Sequence, residues 1–61
     1  MIRFNSISKT DEYVELSTSD GQKMILPTST VIFIDDESGL TTIKNTASRA
    51  IVGIIPTSAI Q

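Results

Sequence analysis

The 61-residue chain is expected to fold as a single all-β domain over residues 1–61. The expected form is a small barrel or a pair of antiparallel meanders of five to six strands, with an internal hairpin duplication as one reading of its repeat. Three observations lead there. Ile and Thr are abundant while Ala, Leu and Glu are not, and stiff β-branched side chains suit a pleated surface. Apolar runs of strand length are separated by short polar turns, two of which carry Gly. Finally, Met24–Val31 (MILPTSTV) returns as Gly53–Ile60 (GIIPTSAI) at a constant offset of 29. A period of that size is one supersecondary unit.

In chain order, Ile2–Ser8 reads as the first strand. Ile2 and Phe4 share one face and Ile7 falls on the other, which predicts a bend or bulge near Asn5–Ser6. Lys9-Thr10-Asp11 is a polar turn. Glu12–Thr18 is the second strand, with Val14 and Leu16 on one face and Tyr13 and Glu15 on the other. Asp20-Gly21 is a hairpin signal, because Gly accepts the positive φ such a turn demands. Gln22–Leu26 is the third strand. Pro27 must end it, since Pro cannot donate to a ladder, and Thr28 and Ser29 can close a turn by bonding nearby backbone.

Val31–Asp35 is the fourth strand, apolar from Val31 to Ile34. Asp36–Gly39 is a turn, Leu40–Asn45 the fifth strand, Thr46–Ser48 a turn, and Arg49–Ile55 the sixth strand. Pro56 repeats the break at Pro27. At the offset of 29, Val14 aligns with Ile43, and Pro27-Thr28-Ser29 with Pro56-Thr57-Ser58. Residues 57–61 read as a short turn or one 3₁₀ turn. No window supports a three-turn helix; Ala47–Ile55 comes nearest, but Ile-Val-Gly-Ile-Ile is a poor helix sequence.

Composition narrows the function classes. A chain this short buries only about 60% of its unfolded surface, and such scaffolds rely on disulfides, a metal or a partner. Without Cys there is no disulfide, and with neither Cys nor His a zinc or transition-metal staple has no ligands. Association with protein is what remains: a homo-oligomer, or a place in a larger assembly. The net charge of −2 gives no drive toward nucleic acid or anionic lipid. No apolar stretch approaches the roughly 20 residues of a membrane helix, and MIRFNSISKT lacks the apolar core of a signal peptide. The expected location is cytoplasmic or virion-associated.

No catalytic, cofactor or metal site is expected. The usual general base and thiol nucleophile are missing, and the 16 Ser and Thr hydroxyls have no obvious activating base. Asp35-Asp36-Glu37 is a dense acidic cluster that could attract a hard cation, but it lacks the alternate-residue spacing of a calcium loop and reads as a solvated hairpin tip. The basic residues Arg3, Lys9, Lys23, Lys44 and Arg49 would make a stripe only if the fold gathered them, and Tyr13 is the best exposed aromatic.

Two layouts carry resemblances. Val14-x-Leu16 before Asp20-Gly21, with Lys44-Asn45-Thr46 followed by Ser48, resembles the two motifs of Sm-like RNA-binding proteins such as Hfq, with a longer segment between them. That resemblance implies a nucleic-acid-binding ring. Gly21–Asp36 followed by Thr41–Asn45 is similar in layout to short FlbD-type flagellar proteins and to small phage-encoded β modules. Thr46-Ala47-Ser48 replaces the second Asn-Gly turn of the flagellar group. This second resemblance implies a non-enzymatic structural or interaction protein, for example an accessory subunit of a virion.

The segments Val31–Ile34 and Ala50–Ile55 do not alternate apolar and polar residues, so both faces of each strand call for burial. Alternation places Val31 and Phe33 opposite Ile32 and Ile34, and Ile51 and Ile55 opposite Val52 and Ile54. The chain's own core can cover one face. Four aliphatics on the other would be worth on the order of 1.5–3 kcal/mol each if buried. Ile32, Ile34, Val52 and Ile54 are therefore the expected interface residues.

Overall fold

A computed structural model describes residues 1–60. The fold is all-β, in two sheets. Its strands are β1 (Ile2–Arg3), β2 (Ser6–Lys9), β3 (Tyr13–Ser17), β4 (Lys23–Pro27), β5 (Val31–Asp35), β6 (Leu40–Asn45) and β7 (Ala50–Pro56). Single 3₁₀ turns follow β4 and β7, at Thr28–Thr30 and Thr57–Ala59. The three-stranded sheet has the order β2-β3-β4 and the four-stranded sheet β1-β7-β6-β5. Each contains one antiparallel meander, β2-β3-β4 and β5-β6-β7. No ladder joins β4 to β5, so the hydrogen bonding does not close into a barrel.

There are seven strands rather than five or six because the expected first strand divides. β1 pairs parallel with β7, and β2 pairs antiparallel with β3. Between them Phe4 N–H donates to the Ile54 carbonyl at 2.8 Å and Asn5 N–H to the Ser17 carbonyl at 2.7 Å. The amide N–H groups at the crossing from one sheet to the other are thus both paired. The Phe4 ring is buried against Gly53, where a Cβ would lie 2.5 Å from the Ile2 carbonyl oxygen and 2.6 Å from the ring. Gly53 is the only residue type that this approach tolerates.

The meanders match each other in detail. Tyr13 lies opposite Pro27 and Leu40 opposite Pro56, so Val14 and Leu16 correspond to Thr41 and Ile43. The constant offset of 29 thus holds for the Pro-Thr-Ser steps but not for the central strands, where Val14 aligns with Thr41 and not with Ile43. In each copy the Thr after Pro donates its N–H to the residue just before the central strand: Thr28 to Glu12 at 3.0 Å, Thr57 to Gly39 at 2.9 Å. Val31 and Ile60 then close the two 3₁₀ turns on the Thr28 and Thr57 carbonyls.

Phe4, Val14, Leu16, Ile43 and Ile55 form the core between the sheets. Thr41 is its one buried polar residue among those described. Its hydroxyl donates to Asp35 Oδ1 at 2.8 Å and lies 2.8 Å from the Thr57 hydroxyl. A hydroxyl has one proton, so Thr57 donates to Thr41 and the bonds run as a chain to the carboxylate.

The hairpin turns follow their chemistry. Gly21 and Gly39 take φ of 91° and 84° as the last residues of three-residue loops, closed by Thr18 N–H to the Gln22 carbonyl and Asp36 N–H to the Leu40 carbonyl. The β6–β7 turn runs one residue further than expected, and Arg49 occupies its left-handed position at φ 61°.

Two variants test this packing. Gly53→Ala forces a methyl group against backbone and ring and should cost about 2 kcal/mol or more, read as a lowered denaturation midpoint. Arg49→Gly relieves about 1–2 kcal/mol of left-handed strain against about 0.5–1 kcal/mol of added unfolded-state entropy. It should therefore raise stability by up to about 1.5 kcal/mol; a midpoint below the parent's would contradict the assignment.

Candidate interaction surface

The outward faces of the two sheets differ in chemistry. Directly opposed residues on paired strands share a face, so the registers define rows across each sheet. On the three-stranded sheet the outer rows are Tyr13–Pro27, Ser8–Glu15–Ile25 and Ser6–Ser17–Lys23. Lys23 Nζ lies 3.6 Å from Glu15 on this mixed face, where Ile25 and Tyr13 are its exposed large apolar side chains. On the four-stranded sheet the rows are Ile34–Thr42–Ile54–Arg3 and Ile32–Lys44–Ile51. Ile32, Ile34 and Ile51 are 42%, 49% and 53% exposed there, and Ile54 is half-buried.

Three of the four residues expected at an interface thus lie on one face: Ile32, Ile34 and Ile54. Val52 does not. The register shifts between Ile43 and Lys44, which lie opposite Gly53 and Ile51, so Val52 is the extra residue of a β-bulge. It is half-buried and packs against the core. Simple alternation had placed Ile51 with Ile55; beyond the bulge Ile51 takes the outer position instead. The sequence signal was Gly53, since Gly within a strand marks a bulge or a close backbone approach.

No protein-family model, curated protein or solved structure matches the chain. Its surface chemistry must therefore be weighed residue by residue. The five basic residues are spread over β1, β2, β4, β6 and the last hairpin turn. Lys9 Nζ sits 5.3 Å from the centre of the Phe33 ring, a cation–π contact across the two sheets. Asn45, in the segment that resembles an Sm motif, spends its side-chain oxygen on its own turn, accepting from Ala47 N–H at 2.9 Å and Ser48 N–H at 3.3 Å. A shallow concavity of about 420 Å³ beside Ile7 and Ile60 holds only Lys9 as an ionisable side chain. A second of about 310 Å³ beside Phe4 and Leu40 holds only Arg3.

At the acidic tip, Asp35 and Asp36 both accept hydrogen bonds. Asp36 Oδ1 accepts from the Ser38 hydroxyl and from Ser38 N–H at 2.7 Å, which lowers its pKa below the ordinary 3.8, the hydroxyl contributing most. In the β3–β4 turn the Thr18 hydroxyl does the same for Asp20, with the Gln22 N–H adding to it. Asp35 receives the buried Thr41 hydroxyl. No cluster of three or more metal-ligating side chains occurs among the described residues, and no helix there is long and apolar enough to cross a membrane.

The pH dependence follows from Asp20 and Asp36. Their folded-state pKa values are lowered, so their contribution is present above the ordinary 3.8 and is lost as pH falls through the lower folded values. The melting temperature should therefore drop as pH falls below the ordinary 3.8, and less steeply in an Asp20→Asn, Asp36→Asn double variant, whose amides still accept at the turns. Equal slopes in the two proteins would contradict this.

Proposed function

We propose that this chain is a non-enzymatic structural module that self-associates through the outer face of its four-stranded sheet. The observation that carries the reading is the contrast between two outer faces: one is mostly polar, with Ile25 and Tyr13 exposed on it, and the other bears Ile32 and Ile34 on β5 and Ile51 and Ile54 on β7, flanking Thr42 and Lys44 of β6. Isoleucines gathered on one face in this way form the kind of patch that marks an interaction site. Covering the half-exposed isoleucines would contribute about 1 kcal/mol each, a large share of what a small domain has to spare. The occupant is a second copy. The chain has no Cys for a disulfide and no His or Cys for a transition metal, and its core is a handful of residues. Burial between copies gives such a chain the apolar area it otherwise lacks. An accessory subunit of a virion or similar repeating assembly is a setting that suits it.

Molar mass measured by light scattering across concentration tests the proposal. The mass should rise above the 6.6 kDa of one chain toward high micromolar concentration. Ile34→Lys and Ile54→Lys should each weaken association about ten-fold or more, equivalent to about 1.4 kcal/mol. A parent that stays monomeric at high micromolar concentration would overturn it.

A further inference from the structure

The apolar face is small for a stable contact. Strands lie about 4.8 Å apart and rise about 3.3 Å per residue, so a face four strands wide and five residues long covers roughly 300 Å² in plan. Standard interfaces bury about 800 Å² per partner. Joining two such faces edge to edge would double the area open to a face contact with further copies, and β5 supplies the edge.

β5 is an edge strand, paired only with β6 among the described residues. Asp36 N–H bonds to the Leu40 carbonyl and Thr46 N–H to the Thr30 carbonyl, in the same register as the β5–β6 ladder. Hydrogen-bonded pairs alternate along an antiparallel ladder, so the even-numbered residues Thr30, Ile32, Ile34 and Asp36 bond inward. The backbone groups of Val31, Phe33 and Asp35 then point out from the sheet. Val31 N–H is already used by the Thr28 carbonyl. The free edge thus offers the Val31 carbonyl and both groups of Phe33 and Asp35; the Asp35 carbonyl falls opposite the Val31 N–H already in use and is left to solvent in the pairing that follows.

That set complements itself about a two-fold axis at Phe33. We infer that β5 of one chain pairs antiparallel with β5 of a second copy, Phe33 opposite Phe33, joining two four-stranded sheets into one of eight strands. Phe33 N–H and carbonyl exchange bonds with those of the other Phe33, and each Asp35 N–H donates to the opposite Val31 carbonyl. Ile32 falls opposite Ile34 of the other copy in a non-hydrogen-bonded pair, where side chains approach most closely. The two apolar faces become continuous across the seam. Shifting the register toward the acidic tips moves the two Asp35 residues toward each other, which disfavours it.

The other edges are protected and β5 is not. β4 is bounded by Lys23 and Pro27, β2 is Ser-Ile-Ser-Lys, and β1 has two residues. Lys, Pro and short length are the usual means of blunting an edge. β5 has none of these, and the register places no bulge in it.

The inference rests on the self-association proposed above, and the experiment separates the two. A 61-residue chain can be made by chemical synthesis with N-methyl-Phe33, which keeps every side chain and removes one N–H that has no partner among the described residues. The N-methylated chain should fold as the parent does but associate at least about ten-fold more weakly, a difference of about 1.4 kcal/mol. In the parent, the Phe33 and Asp35 amides should exchange with solvent freely when dilute and gain protection as the molar mass rises. If N-methylation leaves association unchanged, or those amides stay unprotected in the associated parent, edge pairing is wrong and the face contact stands. A parent that is monomeric throughout overturns both. Should the N-methylated chain fail to fold, amide exchange in the parent alone decides.

Discussion

The seat of the Phe4 ring on Gly53 is the contact on which the rest of the structure depends. A short antiparallel meander is marginal by itself, so each of the two depends on how the other is held against it. Here one segment belongs to both. It pairs with β7 at Ile2 and Arg3, turns through Phe4 and Asn5, and pairs with β3 from Ser6 onward. At the turn its aromatic ring fills the space between the sheets, the largest apolar contribution any residue of this core makes. Gly53 makes that possible by having no side chain. The bulge beside it, which sends Val52 inward and Ile51 outward, follows from the same local departure from regular pairing.

Much of this was legible in the sequence. The turns at Gly21 and Gly39 were readable because one residue type tolerates the backbone they require. The Pro-Thr-Ser corners were readable because Pro cannot continue a ladder and the repeat marked both. Two features were not. The bulge at Val52 depends on cross-strand register, which alternation along one strand does not encode; Gly53 marked a departure without giving its direction. The role of Arg49 was hidden because nothing local distinguishes an arginine held at positive φ from one beginning a strand. For the candidate surface, three residues of four could be placed from apolar runs alone, and the fourth was exchanged for its neighbour by that bulge.

The acidic residues show how a charged stretch can be spent. Asp35 accepts from a fully buried threonine, and Asp36 closes its own turn through Ser38. A carboxylate next to a buried hydroxyl lets that hydroxyl sit in the core without an unmet bond, since the alternative carries the desolvation cost of an orphaned polar group. The second copy of the repeat thus has Thr41 where the first has Val14, and the surrounding bonds, from Thr57 and to Asp35, account for the exchange.

The parallel pairing of β1 with β7 also sets an order of events as the chain folds. The contacts within each meander are local and form from neighbouring hairpins. The pairing of Ile2 with Gly53 joins residues separated by nearly the whole chain, and the loop-closure entropy of such a contact is met only after the intervening strands have formed. A nascent chain therefore holds Phe4 without its seat until the last strand has been synthesised. During that interval the apolar strand β5 has its hairpin partner β6 but lacks the finished sheet behind it. The final strand acts as a latch, and the rate at which it closes limits how long the unfinished chain exposes its core.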